Sequence, residues 1–167
     1  MKTLILCRHA KADYPADTLD FDRPLKERGK KDATQLGKLL ESQGFMPDLI
    51  VSSPANRALT TAKIVAKEIG YTQEIVENPK IYSASVGELV DIIQALPKTA
   101  ETVMIFGHND TMSETVRFLL QMQSFFEMPT CAMACLENSF SDWQFTRRYA
   151  ARLRWVLVPR WVRKMEE

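Results

Sequence analysis

The chain has 167 residues, of which 46% are hydrophobic and 26% are charged, and its formal net charge at pH 7 is +1. A chain of this length and composition can bury a hydrophobic core, so we expect one globular domain over residues 1–167 rather than a disordered protein. The small net charge gives no general reason to expect nucleic acid or a membrane as a partner. Any anion must therefore be bound by a local arrangement of charged side chains.

The cysteine pattern and the N-terminus bear on cellular location. Cys7, Cys131 and Cys135 form no CxxC pair, and with two histidines they fall short of a zinc pattern. We expect reduced, mostly buried thiols and no metal or other cofactor. The chain leads directly into a strand-like segment without a signal-peptide pattern, and no apolar run approaches the length of a bilayer span. These features predict a cytoplasmic protein without a membrane partner.

Strand-like and helix-like segments alternate along the chain, which is typical of an α/β fold. The predicted strands are TLILC (3–7), DLIVS (48–52) and TVMIFG (102–107), with two more near 131–136 and 152–158. The first predicted helix ends near Gly44 and has an apolar face of Ala33, Leu36, Leu39 and Leu40. Further helices are expected after residue 53, over 86–95 and from 111 to 120. We expect a three-layer α/β/α sandwich whose mostly parallel sheet is extended by added strands at its edges.

Two helix starts carry local sequence signals. Ser53 is a plausible N-cap followed by Pro54 at the first helical position, and the apolar stripe of that helix continues to Ile69. Thr111 and Glu114 have the spacing of a capping box. These signals predict helices that begin at residues 54 and 111.

Charged and imidazole side chains follow three of the predicted strands. Arg8 and His9 follow the first strand, Arg57 lies in the first turn of the helix after the second, and His108 follows the third. The carboxyl ends of parallel strands form the edge at which open α/β sheets bind ligands, so we expect these four residues to share a pocket. A cation in the first turn of a helix opposes the helix dipole, at a cost of about 0.3–1 kcal/mol, unless an anion offsets it. A bound phosphate would supply that anion.

Two guanidiniums and two imidazoles around one anion suit phosphoryl transfer with histidine as the nucleophile. A neutral imidazole nitrogen can attack phosphorus and form a phosphohistidine that water later hydrolyses. Forked arginine donors match the phosphoryl oxygens, and a second histidine adds a donor where charge builds in the transition state. Positive neighbours would keep the nucleophile neutral by disfavouring its protonated form. This scheme requires no metal.

The same residues resemble the motifs of the histidine phosphatase superfamily, which has the phosphoglycerate mutase-like fold. LCRHA (6–10) resembles the RHG motif, SSPANRALTTA (52–62) the second signature, and FGHN (106–109) the block with the second histidine. DFDRPLKERGKKDA (20–33) is similar to a segment of the small SixA-type phosphohistidine phosphatases, and the resemblance extends to about residue 120. It implies a metal-independent phosphatase in which His9 accepts the phosphoryl group. It further implies that Arg8, Arg57 and His108 complete the phosphate-binding pocket.

The sequence departs from the family pattern at one position and leaves another role open. Ala10 replaces the usual glycine of RHG and narrows the space behind the nucleophile. Many relatives use a carboxylate to protonate the leaving oxygen, and Glu88 is a candidate for that general acid, with Asp110 as a rival. Each can also be explained as a helix-start residue favoured by the dipole. Imidazole leaves phosphorus more readily than an alkoxide, so a phosphohistidine substrate reduces the need for such an acid.

The segment from 143 to 164 interleaves aromatic and basic residues, a composition also found in proteins that bind single-stranded nucleic acid. A charged edge strand explains it better, with Leu153, Trp155 and Leu157 on one face and Arg152 and Arg154 on the other. Residues 160–164 then form a surface extension or a protein contact. We expect no nucleic-acid partner.

These features predict a phosphatase acting on phosphohistidine in a signalling protein, so the partner would be a phosphorylated protein or a small phosphorylated substrate. One alternative is a small-molecule phosphomonoesterase or mutase of the same superfamily. Another is a phosphate-recognition module without turnover.

Overall fold

The secondary structure comes from a computed structural model of the chain, which describes residues 1–138 and 140–166. The strands are Lys2–Arg8 (β1), Leu49–Ser52 (β2), Val76–Glu77 (β3), Thr102–Gly107 (β4), Met133–Asn138 (β5) and Ala151–Leu157 (β6). The α-helices are Glu27–Ser42 (α1), Asn56–Glu68 (α2), Val86–Gln94 (α3), Thr111–Leu119 (α4) and Pro159–Glu166 (α5). Short 3-10 helices cover Asp20–Asp22, Pro79–Ser83 and Trp143–Phe145.

One six-stranded sheet runs in the order β3-β2-β4-β1-β5-β6. The strands from β3 to β1 are parallel, whereas β5 pairs antiparallel with β1 and β6 pairs antiparallel with β5. The prediction of a mostly parallel sheet with added edge strands is confirmed. Arg8 pairs with Gly107 at the ends of β1 and β4, and Ser52 of β2 pairs with Phe106. The strands β1, β2 and β4, which carry or precede the predicted site residues, therefore end at the same edge of the sheet.

The sheet separates two hydrophobic cores, because successive side chains of a strand point to opposite faces. In β1, Leu4 and Leu6 join one core, while Ile5 and Cys7 join the other. Helices α3 and α4 cover the first face; α1, α2 and α5 cover the second. The predicted three-layer α/β/α sandwich is confirmed.

The three cysteines are free and buried, as expected. Burial raises the pKa of each thiol, to about 12 for Cys135. They remain protonated at neutral pH and are poor nucleophiles. Among the described residues, no helix is both long and apolar enough to cross a membrane.

Neither Ser53 nor Thr111 is the N-cap residue of its helix. The backbone N–H of Ser53 donates to the Phe106 carbonyl at 2.9 Å, so Ser53 still bonds to β4, and the N-cap of α2 is Ala55. Thr111 is the first residue of α4, and its hydroxyl donates to the Ala84 carbonyl at 2.6 Å instead of capping the helix. The Ser53 hydroxyl accepts from the Ala55 N–H at 3.2 Å, before the first residue of α2, whereas the Thr111 hydroxyl makes a tertiary hydrogen bond.

The chain after β5 differs from the prediction at one strand position. Cys135 pairs with Trp155 but Leu136 pairs with Leu153, so Arg154 is an extra residue in a β-bulge. The bulge places Leu153 on the opposite face from Trp155, and Leu153 is exposed. The prediction that these residues share one face is therefore wrong at Leu153, although the prediction of an edge strand is correct.

The basic segment 160–164, predicted to be a surface extension or a protein contact, lies in the helix α5. Val162 of α5 is buried in the core beneath α1, and the Arg163 guanidinium bonds to the Asp32 carboxylate of α1. A salt bridge and an apolar anchor thus attach α5 to the helical layer.

Candidate active site

A cavity of about 430 Å³ opens at the carboxyl edge of the sheet. Its lining includes Arg8, His9, Arg57 and His108. These are the four residues that were expected to share a pocket because they lie near the ends of parallel strands. The other lining residues are Lys11, Ala12, Tyr14, Asp20, Arg23, Asn109 and Thr130. Among these lining residues only Asp20 is acidic, so the cavity suits an anion.

The imidazole of His9 is held in one tautomer. Its Nδ1 lies 2.7 Å from the Ala10 carbonyl oxygen, which can only accept a hydrogen bond, so Nδ1 carries the proton. The lone pair of the neutral ring is consequently on Nε2. The His9 backbone donates to the Gly107 carbonyl at 3.0 Å and accepts from the Cys131 N–H at 3.0 Å, which fixes the residue between β4 and the segment before β5.

The charge state of His9 follows from its surroundings. Its pKa is lowered to about 4, mainly by burial and also by the positive charges of Arg57, Arg8 and Arg23, while the Ala10 hydrogen bond acts in the opposite direction. His9 is therefore neutral at pH 7 and can act as a nucleophile.

His108 stands beside His9, with 5.4 Å between the ring centroids. Its Nε2 is 2.8 Å from Ser53 Oγ, and the Tyr82 ring packs edge-on against it at 5.6 Å. Burial, followed by the charges of Arg57 and His9, lowers the His108 pKa to about 3. Its Nδ1 is buried and bonds to none of the described residues. Ser53 and Tyr82 thus orient a neutral ring at the cavity.

Arg8 and Arg57 each use some of their guanidinium N–H groups for hydrogen bonds within the protein, and each keeps another N–H group unpaired among the described residues. Arg8 Nη1 donates to the Met128 carbonyl at 2.7 Å. Arg57 Nη1 donates to the Asp20 carbonyl at 2.6 Å, and its Nη2 is 3.1 Å from the Asp20 carboxylate. The Nε atoms of Arg8 and Arg57 are buried and unpaired among the described residues. An unpaired buried donor costs about 1–3 kcal/mol, which a bound oxyanion could offset.

Sequence reasoning missed Asp20. Its carboxylate accepts hydrogen bonds from the Tyr82 hydroxyl at 2.5 Å, from Arg57, and from Arg23 Nη1 at 3.2 Å. The Tyr82 hydrogen bond is the largest cause that lowers the Asp20 pKa to about 2, with the arginines adding to it. The Asp20 carboxylate thus supplies the negative charge that offsets the unfavourable position of the Arg57 cation in the first turn of α2. It lies in the segment whose family resemblance was noted, but nothing local predicts that this segment folds back onto α2.

The other candidate carboxylates do not line the cavity. The Glu88 carboxylate accepts from the Ser85 N–H at 2.8 Å and from its hydroxyl at 2.9 Å, in a capping box at the start of α3. These bonds hold the Glu88 pKa below its usual value, so the structure gives no support to Glu88 as an acid. Asp110 occupies the N-cap position of α4 without a side-chain capping bond.

The fold and the cavity together define an α/β protein with a paired-histidine, arginine-lined anion site. Residues 4–98 match the family model of the histidine phosphatase superfamily, branch 1, and the chain belongs to this family. Membership supports a phosphatase or a mutase.

Similar proteins agree with this assignment. A protein of Agrobacterium tumefaciens provisionally assigned as the phosphohistidine phosphatase SixA is 30% identical, with a TM-score of 0.79 over 95% of this chain and 98% of that one. The protein histidine phosphatase SixA complexed with tungstate shares the fold, with a TM-score of 0.81 at 21% identity over 94% and 97% of the two chains. An uncharacterised chloroplast protein of Arabidopsis thaliana is 30% identical over 86% of this chain and 69% of its own length. The SixA-type branch is the one that these neighbours support.

Proposed function

We propose that this protein is a phosphatase that removes the phosphoryl group from phosphohistidine through a phospho-His9 intermediate. The observation that carries the proposal is the His9 hydrogen bond to the Ala10 carbonyl, which leaves Nε2 unprotonated in a cavity lined by Arg8, Arg23 and Arg57. A neutral nucleophile and three fixed cations are what phosphoryl transfer to histidine requires.

The reaction has two steps. His9 Nε2 donates its lone pair to phosphorus, the bond between phosphorus and the leaving imidazole breaks, and the leaving nitrogen takes up a proton from solvent. Water then attacks phosphorus, and the bond to Nε2 breaks with its electron pair returning to Nε2, so His9 becomes neutral again. The phosphate leaves with the oxygen and both protons of the water. The arginines hold the phosphoryl oxygens in both steps, and His108 lies where it can contact the same oxygens.

The carboxylate in the cavity favours a phosphorus–nitrogen substrate. Asp20 has a pKa of about 2 and accepts hydrogen bonds from Tyr82, Arg23 and Arg57. It therefore has no proton to give an alkoxide leaving group at neutral pH. General acid catalysis contributes about 10²–10⁴ to such reactions, so a poorly assisted phosphate ester should react slowly. The name of the Agrobacterium tumefaciens neighbour supports the same substrate class.

A substrate panel tests the proposal. Purified protein is assayed with a phosphohistidine peptide, phosphoramidate, an alkyl phosphomonoester and 3-phosphoglycerate. We expect kcat/KM for the two phosphorus–nitrogen substrates to exceed that for the alkyl ester by at least about 10². Equal rates, or phosphoryl exchange on phosphoglycerate, would favour a phosphomonoesterase or a mutase. Phosphate binding without turnover of any substrate would favour a recognition module.

A further inference from the structure

A basic surface continues from the active-site cavity across α1 and α5. The cavity shares Lys11 and Thr130 with a neighbouring groove of about 360 Å³. That groove shares Arg28, Asp32 and Arg163 with a wide depression of about 1070 Å³ along α1. We name this surface the basic track, and its cations are Lys11, Arg28, Lys30, Lys31, Lys38, Arg160 and Arg163.

The positive charge of the basic track is largely uncompensated. Asp32 is the acidic residue that lines both grooves, and its carboxylate is already shared by Arg28 Nε at 3.4 Å and by Arg163. Lys30 is paired with the Glu27 carboxylate at 2.7 Å. Four cations of the track make no ion pair with a carboxylate of residues 1–138 or 140–164, and they are Lys11, Lys31, Lys38 and Arg160. The whole chain has a net charge of only +1, so the excess of cations on this face is a local feature.

The basic track extends beyond the reach of a small substrate. A helix rises about 1.5 Å per residue, so Arg28 and Lys38 of α1 are about 15 Å apart along its axis. A phosphorylated imidazole placed against His9 would contact the cavity but not Lys31 or Lys38. An extended peptide advances about 3.3 Å per residue, so about five residues cover this distance, and a flank of roughly eight also bridges toward the cavity.

We infer that the basic track docks an acidic segment of the phosphorylated protein whose phosphohistidine enters the cavity. This inference rests on the proposed function, and it adds the chemistry of the partner. Charge complementarity at an interface raises the association rate and is screened by salt. The track would thus select acidic partners and leave the reaction at His9 unchanged.

Matched synthetic peptides test the inference. The glutamate peptides carry a phosphohistidine with a flank of about eight glutamates, which is N-terminal in one version and C-terminal in the other. In their glutamine counterparts each glutamate is replaced with glutamine. For the better glutamate peptide we expect kcat/KM at least about tenfold above that of its glutamine counterpart at low salt. The difference should disappear at about 0.5 M salt, where the Debye length is only a few ångströms.

Charge-reversal variants identify the surface. Lys31→Glu combined with Lys38→Glu should remove the advantage of the glutamate peptide and leave kcat/KM for phosphoramidate unchanged. The matched control combines Lys63→Glu with Lys67→Glu, two exposed lysines of the neighbouring helix α2, and should keep most of the advantage. Equal rates for both peptides in the natural protein, or equal losses in both double variants, would overturn the inference.

A binding measurement separates docking from catalysis. Fluorescence anisotropy with the unphosphorylated peptides should show the same preference for glutamate and the same loss in the Lys31 and Lys38 variant. If phosphohistidine is not hydrolysed but this preference holds, the proposed function fails and the acidic docking surface stands. Binding of polyphosphate or of single-stranded DNA in place of the glutamate peptide would show that the partner has been assigned wrongly.

Discussion

The neutral state of His9 depends more on burial than on the arginines beside it. The sequence predicts the positive neighbours as the cause, but desolvation is the larger effect, and Arg57, Arg8 and Arg23 follow it. Loss of one arginine should therefore leave the imidazole unprotonated at neutral pH. The contribution of each arginine is to hold the phosphoryl oxygens, which can be tested one residue at a time.

Arg57→Ala should reduce turnover of phosphohistidine by about 10²–10³, because it removes a donor to charge that develops in the transition state. An exposed arginine at this position would contribute less than about 0.5 kcal/mol to stability. In the structure Arg57 is buried and bonds to Asp20, so we also expect the free energy of unfolding to fall by about 1–3 kcal/mol. Steady-state kinetics and urea unfolding measure the two effects.

Arg152→Ala is the control for this variant, since Arg152 is exposed on the edge strand β6. It should change the free energy of unfolding by less than about 0.5 kcal/mol and leave turnover intact. A folded Arg57→Ala protein with the activity of the natural chain would remove Arg57 from the site.

At the scale of helices and strands, the sequence predicts the parts of the site that lie at strand ends. The apolar runs of β1, β2 and β4 are distinct enough to place Arg8, His9 and His108 at one edge. The pairing of Arg8 with Gly107 depends on contacts between distant segments, and no local pattern encodes it. The same holds for Asp20 and Tyr82, which lie in two separate 3-10 helices and bond to each other beside the cavity.

The errors have a common physical origin. Ser53 and Thr111 have local sequence signals of helix caps, but their backbone or hydroxyl groups bond to β4 and to Ala84 instead. Leu153 follows the alternation expected of a strand until the extra residue at Arg154 reverses its face. In each case a tertiary contact outweighs a local preference of about 1 kcal/mol.

Helix α1 also supports the active site through one close backbone contact. Gly29 is buried at the start of α1, and a Cβ built there would overlap the backbone oxygen of Lys11. The Lys11 carbonyl accepts from the Lys26 N–H at 2.9 Å, and Lys11 lies two residues after His9. The start of α1 thus packs directly against the segment 9–11, which contains His9.

Gly29→Ala should therefore lower both stability and turnover. Overpacking of this kind costs about 1–3 kcal/mol in the free energy of unfolding, and displacement of residues 9–11 should reduce kcat more than it raises KM. Thermal unfolding and steady-state kinetics on the same preparation provide the measurements.

The matched control is Gly87→Ala, in the first turn of α3, where the nearest atom to an added Cβ is Ser85 Oγ at 4.0 Å. Removing a helical glycine there should stabilise the protein by about 0.5–1 kcal/mol without affecting activity. A Gly29→Ala protein as stable and active as Gly87→Ala would show that this contact has no role.

For the whole molecule, the two histidines link stability to pH. Their pKa values in the folded chain are about 4 and about 3, against about 6.5 when unfolded. Between these values the unfolded chain binds more protons, so stability is fully present above about pH 6.5 and declines as the pH falls. Each histidine should contribute a slope of up to about 1.4 kcal/mol per pH unit.

Urea unfolding between about pH 7.5 and pH 5 measures this slope, since carboxylates titrate mostly below that range. A chain with both His9→Gln and His108→Gln should lose most of the dependence. If the double variant and the natural chain show equal slopes, the buried histidines are not the source of the pH dependence of stability.

The central claim is that His9 carries the phosphoryl group, and mapping the phosphoenzyme tests it most directly. The protein is exposed briefly to labelled phosphoramidate, quenched in alkali because a phosphohistidine is labile in acid, and cleaved before aspartates. The fragment Met1–Ala12 contains His9 and the fragment Asp91–Asn109 contains His108. We expect label on the first fragment in the natural chain, a reduced amount there in His108→Ala and none in His9→Ala; label on the second fragment, or rapid turnover by His9→Ala, would contradict the account.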